Sequence, residues 1–204
     1  MIESSTVAPQ SENRSSIWGL ATSLFLITAA VNLQAPLYAE YAHAGHFGPE
    51  AQTIAFACYV AGLVPTLTFL SGLSDRLGRK LPLMIAIMLA AVATSFPIIW
   101  PGLEAVAAAR MLCGAATGLM ASAGTAFMAE LMNGHSKPPE AAARIVAAAT
   151  SLGFGSGALA TSLYLLAFPG TLLPATYGGY IVLACCGLIW MSVIHERVRV
   201  RSTV

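Results

Sequence analysis

The sequence predicts an all-α integral membrane protein, a bundle of six transmembrane helices with both termini on the cytoplasmic side. Three observations carry this prediction. Of the 204 residues, 57% are hydrophobic and only 9% are charged, whereas soluble domains carry about 25% charged residues. Six apolar stretches reach spanning length. The basic residues gather in alternate connections between them.

A membrane-crossing helix needs about 20 mostly apolar residues. Residues 1–15 are polar and unpatterned, with Glu3, Glu12 and Arg14, and predict a disordered cytoplasmic tail. The apolar run that follows, residues 16–39, is too long for a cleaved signal peptide and reads as the first span. The others are residues 52–73, 81–100, 103–131, 141–168 and 176–194, the fourth and fifth long enough to tilt. Turn chemistry separates them at Gly48-Pro49, Pro101-Gly102, Lys137-Pro138-Pro139 and Pro169-Gly170. The bundle thus occupies residues 16–194, and residues 195–204 form a basic cytoplasmic tail. Pro36, Pro65 and Pro97 fall inside helices, which membrane helices tolerate when neighbours satisfy the freed carbonyls.

Orientation follows from the ten Lys and Arg residues. Arg14 precedes the first helix, and Arg76, Arg79 and Lys80 lie between the second and third. Lys137 and Arg144 flank the connection between the fourth and fifth, and Arg197, Arg199 and Arg201 follow the sixth. The other three connections contain none, so the basic side is the cytoplasmic one. Trp18, Tyr38, Tyr41, Trp100, Tyr177 and Trp190 lie near the predicted helix ends, where amphipathic rings favour the headgroups.

Several function classes are excluded. A net charge of +1 gives no basic field for nucleic acid. Cys58, Cys113, Cys185 and Cys186 lie in apolar runs without a C-x-x-C pair, which supports neither zinc nor a disulfide framework. His43 and His46, flanked by Glu40 and Glu50, have ligand spacing but sit in a short exposed connection, and no metal or cofactor is assigned. A voltage sensor would repeat Arg along the fourth helix, where Arg110 stands alone. An intramembrane serine protease would need G-x-S-G, and Gly153-Phe154-Gly155-Ser156-Gly157 fails that pattern. An enzyme is not expected.

The segment Ser71-Gly72-Leu73-Ser74-Asp75-Arg76-Leu77-Gly78-Arg79-Lys80 carries the strongest signal. It is a tight turn with three cations, and Asp75 ends the second helix beside that helix's own negative pole, where a carboxylate is unfavourable. Something outside the helix must favour it. The segment resembles the signature loop of the major facilitator superfamily, G-x-L-[AS]-D-[RK]-x-G-[RK]-[RK], with Ser71 in place of its first Gly. The resemblance implies a six-helix half of that fold, built as a 3+3 inverted repeat. It makes Asp75, Arg76, Gly78, Arg79 and Lys80 a conformational gate, with Glu130 at the end of the fourth helix as partner for Arg76 or Arg79.

Arg110 lies about 10 Å into the fourth helix from its outer end. A cation at that depth costs about 2.5–3.5 kcal/mol on insertion scales, so it faces a wet cavity or a partner, or snorkels outward beside Glu104. Gly114 and Gly118 follow at four-residue intervals, and Thr117 and Thr125 extend the stripe. Arg110-Met111-Leu112-Cys113-Gly114 is similar to the superfamily's fourth-helix motif R-x-x-Q-G, with Cys113 in place of Gln. In the first helix, Thr28, Asn32 and Gln34 are polar at depth and either line a pathway or hydrogen-bond between helices. Gly153, Gly155 and Gly157 permit close packing of the fifth helix. No Asp or Glu lies mid-span.

The resemblance implies secondary transport of a small solute along a pathway that includes Arg110, Asn32, Thr28, Gln34, Gly114 and Gly118. Arg110 as the deep charge favours an anionic or polar solute. The third and sixth helices would face lipid. The expected partners are the lipid bilayer, the solute, and a carboxy-terminal six-helix half or a second copy of the chain. The alternative is a non-transporting membrane protein that keeps the half fold.

Overall fold

A computed structural model describes residues 10–38, 40, 50–70, 78–99, 103–133, 139–172 and 175–193. Among them there is no strand. Six rods form: α1 (Gln10–Leu33), α2 (Ala51–Phe69), α3 (Lys80–Ile99), α4, α5 (Pro139–Ala167) and α6 (Ala175–Val193). The rod α4 is α-helical over Leu103–Leu119, π-helical over Met120–Gly124 and α-helical again over Thr125–Asn133. All six are long and apolar enough to cross a membrane.

Two boundaries differ by six residues from those expected, and α2 ends at Phe69 rather than residue 73. Helix α1 begins at Gln10 rather than residue 16, because residues 10–15 contain neither Gly nor Pro and an established helix extends through them cheaply. It ends at Leu33 rather than residue 39, and Pro36 falls in a turn beyond it. Pro65 and Pro97 do lie inside α2 and α3.

The main packing pairs are α1 with α5 and α2 with α4, as expected when two three-helix repeats of opposite orientation interlock. Glycines set both approaches. A Cβ on Gly114 would sit 2.0 Å from the Tyr59 carbonyl oxygen, and one on Gly62 2.0 Å from that of Met111. Across the other pair, a Cβ on Gly157 would sit 2.1 Å from the Ala29 oxygen and one on Gly153 1.9 Å from Thr28 Oγ1. Small residues four apart let helix backbones touch, which substitutes for the hydrophobic drive that lipid cannot supply.

The core runs along α1, which is the most buried span. Leu20, Leu24 and Ile27 of α1 pack with Leu83 and Ile87 of α3 and with Met128 of α4. Tyr180 of α6 donates to the Leu26 carbonyl at 2.9 Å, tying α6 to the same rod. Helices α3 and α6 present apolar faces outward, through Met88, Val92, Val182 and Leu183. Yet α2 and α5 are more exposed than either. Trp18 and Trp190 are outward-facing, whereas Tyr177 is buried and Tyr38 turns inward, so these two are packing and site residues rather than headgroup anchors.

Candidate functional site

The site begins with a missing amide proton. Pro36 cannot donate, so α1 tightens after Leu33: Ala35 N–H bonds to the Asn32 carbonyl at 3.2 Å and Leu37 N–H to that of Gln34 at 3.1 Å. Both amides thereby point to the carbonyl three residues back instead of four. The Val31 carbonyl loses its helical partner, and a freed carbonyl at this depth needs a donor. Arg110 of α4 supplies it, with Nη1 donating to Val31 O at 2.5 Å. Its Nε donates to the Tyr38 hydroxyl at 2.5 Å, and the guanidinium lies 5.3 Å from the Tyr38 ring centroid.

Arg110 is buried, 8% exposed, and is therefore held by α1 rather than snorkelling to the headgroups. The Tyr38 ring adds a cation–π attraction. Asn32, on the same stretch of α1, donates from Nδ2 to the Phe154 carbonyl of α5 at 3.2 Å. These contacts draw α1, α4 and α5 together around a cavity of about 390 Å³. Its wall includes Asn32 from α1, Ala35 and Tyr38 from the segment that follows it, Gln52, Phe56 and Tyr59 from α2, Arg110 from α4 and Phe154 from α5.

Of the six residues expected on the pathway, Arg110 and Asn32 line this cavity. Thr28 does not: its hydroxyl bonds back to the Leu24 carbonyl at 2.9 Å and faces Gly153. Gly114 and Gly118 lie against Tyr59, Leu63 and Thr66 of α2, in the helix seam beside the cavity. Each four-residue step advances about 40° beyond a full turn, so by Gly118 the stripe has rotated away from Arg110. Gln34 is 2% exposed, is absent from the described cavity wall, and among the described residues neither its oxygen nor its nitrogen has a hydrogen-bond partner.

The aromatic wall of Phe56, Tyr59 and Phe154 was not foreseen, because aromatics in apolar runs look alike whether they face lipid or a cavity. Gln52, a polar side chain at the start of a span, was the available signal.

At the opposite, basic end of the bundle, Gly78 adopts a φ of 85°, which a side chain would resist. The turn presents Arg79 to α4, where its Nε meets Glu130 Oε1 at 3.2 Å. Lys80 Nζ donates to the Ser192 carbonyl of α6 at 2.8 Å, a cation placed at a helix's negative pole. Asp75 and Arg76 lie outside the described residues, as do His43 and His46. The Arg79–Glu130 side chains are 21% and 57% exposed, and pairs this open to solvent contribute at most about 1 kcal/mol. Glu130→Gln is therefore expected to leave the unfolding free energy within about 1 kcal/mol of the parent in chemical denaturation.

The family model of the Major Facilitator Superfamily matches residues 20–203. No curated protein matches the chain.

Proposed function

The chain belongs to the major facilitator superfamily, and from that membership we propose that it is a secondary transporter of a small solute, with the cavity bounded by α1, α2, α4 and α5 as its binding site. The observation that carries this reading is Arg110, a deep cation set in a cavity wall with Asn32 beside it. An ionisable residue at membrane depth marks a substrate or ion pathway far more often than it serves packing.

The chain sits in the cell membrane as a multi-pass protein. Its basic end, with Arg14, Arg79, Lys80 and Arg144, is cytoplasmic, which puts the Arg110 cavity in the outer half of the bundle. The Arg79–Glu130 pair belongs to the cytoplasmic gate, to which Asp75, Arg76, Gly78 and Lys80 also contribute. Gln52 and Phe56 are exposed on the cavity's rim. That rim is closed by a second six-helix body, a carboxy-terminal half or another copy of the chain, as solute sites between paired repeats of this fold are.

Uptake of a panel of labelled organic acids, amino acids and sugars into vesicles from overexpressing cells tests this function. Saturable uptake above that of vector-control vesicles is expected for at least one solute class. Control-level uptake of the whole panel, by chain shown to be inserted and folded, would favour the non-transporting alternative.

A further inference from the structure

We propose that the cavity takes an organic monoanion, one carboxylate-type group on an aromatic body, anchored by the outer edge of the Arg110 guanidinium. This rests on the cavity being the solute site and names the class of solute. A guanidinium carries five N–H donors in a planar fork. Nε is committed to Tyr38 and one Nη1 proton to Val31, which fixes the plane and leaves the Nη2 edge without a protein acceptor among the described residues.

Both partners of Arg110 are neutral oxygens, and no carboxylate stands in the described cavity wall. The charge is therefore buried to 92% and hydrogen-bonded but not neutralised, since Arg110 is 8% exposed. Such a charge is costly unless an anion completes it. A carboxylate matches two parallel guanidinium donors, and the pairing is about twice as strong as a neutral hydrogen bond.

One cation calls for one negative charge. A dianion would leave its second charge against a wall whose other polar groups, Asn32, Gln52 and the tyrosine hydroxyls, are neutral. In the same cavity wall, Phe56, Tyr59 and Phe154 supply aromatic surface from two helices. A cavity of about 390 Å³ lies at the small end of ligand sites. A single cation in a wall rich in aromatic rings fits an aryl carboxylate better than an inorganic ion or a sugar.

The test is thermal unfolding of the purified chain, in the assembly in which it leaves the membrane, titrated with four probes. Phenylacetate carries the predicted features, phenylacetamide is its neutral isostere, phenethylamine its cationic one, and inorganic phosphate is an anion without a ring. Phenylacetate is expected to bind at least about tenfold more tightly than each of the others, the scale of one charge-assisted pair. Arg110→Gln is expected to erase that preference and Arg110→Lys to keep part of it. If Arg110→Gln fails to fold, the ranking of the four probes on the parent chain still decides.

Equal binding of the amide or the amine, phosphate matching phenylacetate, no shift with any probe, or a preference that survives Arg110→Gln would each overturn the assignment. Tight phenylacetate binding without uptake in vesicles would leave the anion site standing and remove the transport function. Saturable uptake of a neutral solute by the parent chain, with no shift on phenylacetate, would do the reverse.

Discussion

Arg110→Gln is expected to reduce saturable solute uptake about 10- to 100-fold, the range given by hydrogen bonds to a charged group worth about 1.5–3 kcal/mol. The same substitution should leave the amount of inserted chain and its thermal stability nearly unchanged. Two terms oppose each other there. Removing a deep cation relieves an insertion cost of about 2.5–3.5 kcal/mol. Against that, the Val31 carbonyl and Tyr38 hydroxyl lose their donor, at about 1–3 kcal/mol for each group left unsatisfied. Gln retains one amide with which to satisfy part of that loss. Uptake normalised to inserted protein, measured beside a melting curve, separates the two effects. Loss of fold together with loss of uptake would make Arg110 a structural tie between α1 and α4. Normal uptake would remove it from the pathway.

The second large effect is at the helix seams. Gly114→Ala and Gly157→Ala each place a methyl about 2 Å from a backbone carbonyl oxygen of the neighbouring helix, at Tyr59 and Ala29 respectively. Backbone cannot rotate aside as a side chain can, so the helices must separate along their length. A loss of about 3 kcal/mol is expected for each, at the upper end of overpacking costs, seen as a lowered melting temperature or as aggregation in detergent. Gly155→Ala provides the control. It lies between Gly153 and Gly157 on the same helix, yet a Cβ there meets nothing within 4 Å, and its stability should stay within about 0.5 kcal/mol of the parent. Equal sensitivity at Gly155 and Gly157 would mean that α5 does not pack on α1 through this face.

The membrane class and the six spans were readable because length and apolar run are one-dimensional properties. Arg110 was readable for the same reason, as a lone cation in a run such as Val106–Cys113. Its partners were not. They depend on Pro36 shifting two amides to the carbonyl three residues back, and so on a backbone geometry that composition does not display. The resemblance of the loop to a family motif offered Glu130 as partner for Arg76 or Arg79, and the structure pairs it with Arg79. No spacing rule links residues 51 positions apart.

Gly114 and Gly118 show where periodicity misleads. A four-residue repeat marks a helix face over one step, but the face turns with each further step, and these glycines end against α2. The π-helical turn at Met120–Gly124 displaces the register again below them. Gln34 was placed on the pathway for its polarity, and it is buried outside the cavity wall.

Thiol labelling tests most directly whether a water-accessible path enters the bundle beside Arg110. In a chain with Cys58, Cys185 and Cys186 changed to Ser and Cys113 to Ala, single cysteines would be placed by Asn32→Cys and Phe56→Cys in the cavity. Leu163→Cys and Val182→Cys would serve as controls, at positions 57% and 63% exposed on the outward faces of α5 and α6. A membrane-impermeant maleimide added from the outer side is expected to label the two cavity positions at least about tenfold faster than the controls, because the reactive thiolate forms in water and not in lipid. Equal, slow labelling at all four positions would contradict a solute pathway along α1 and α4.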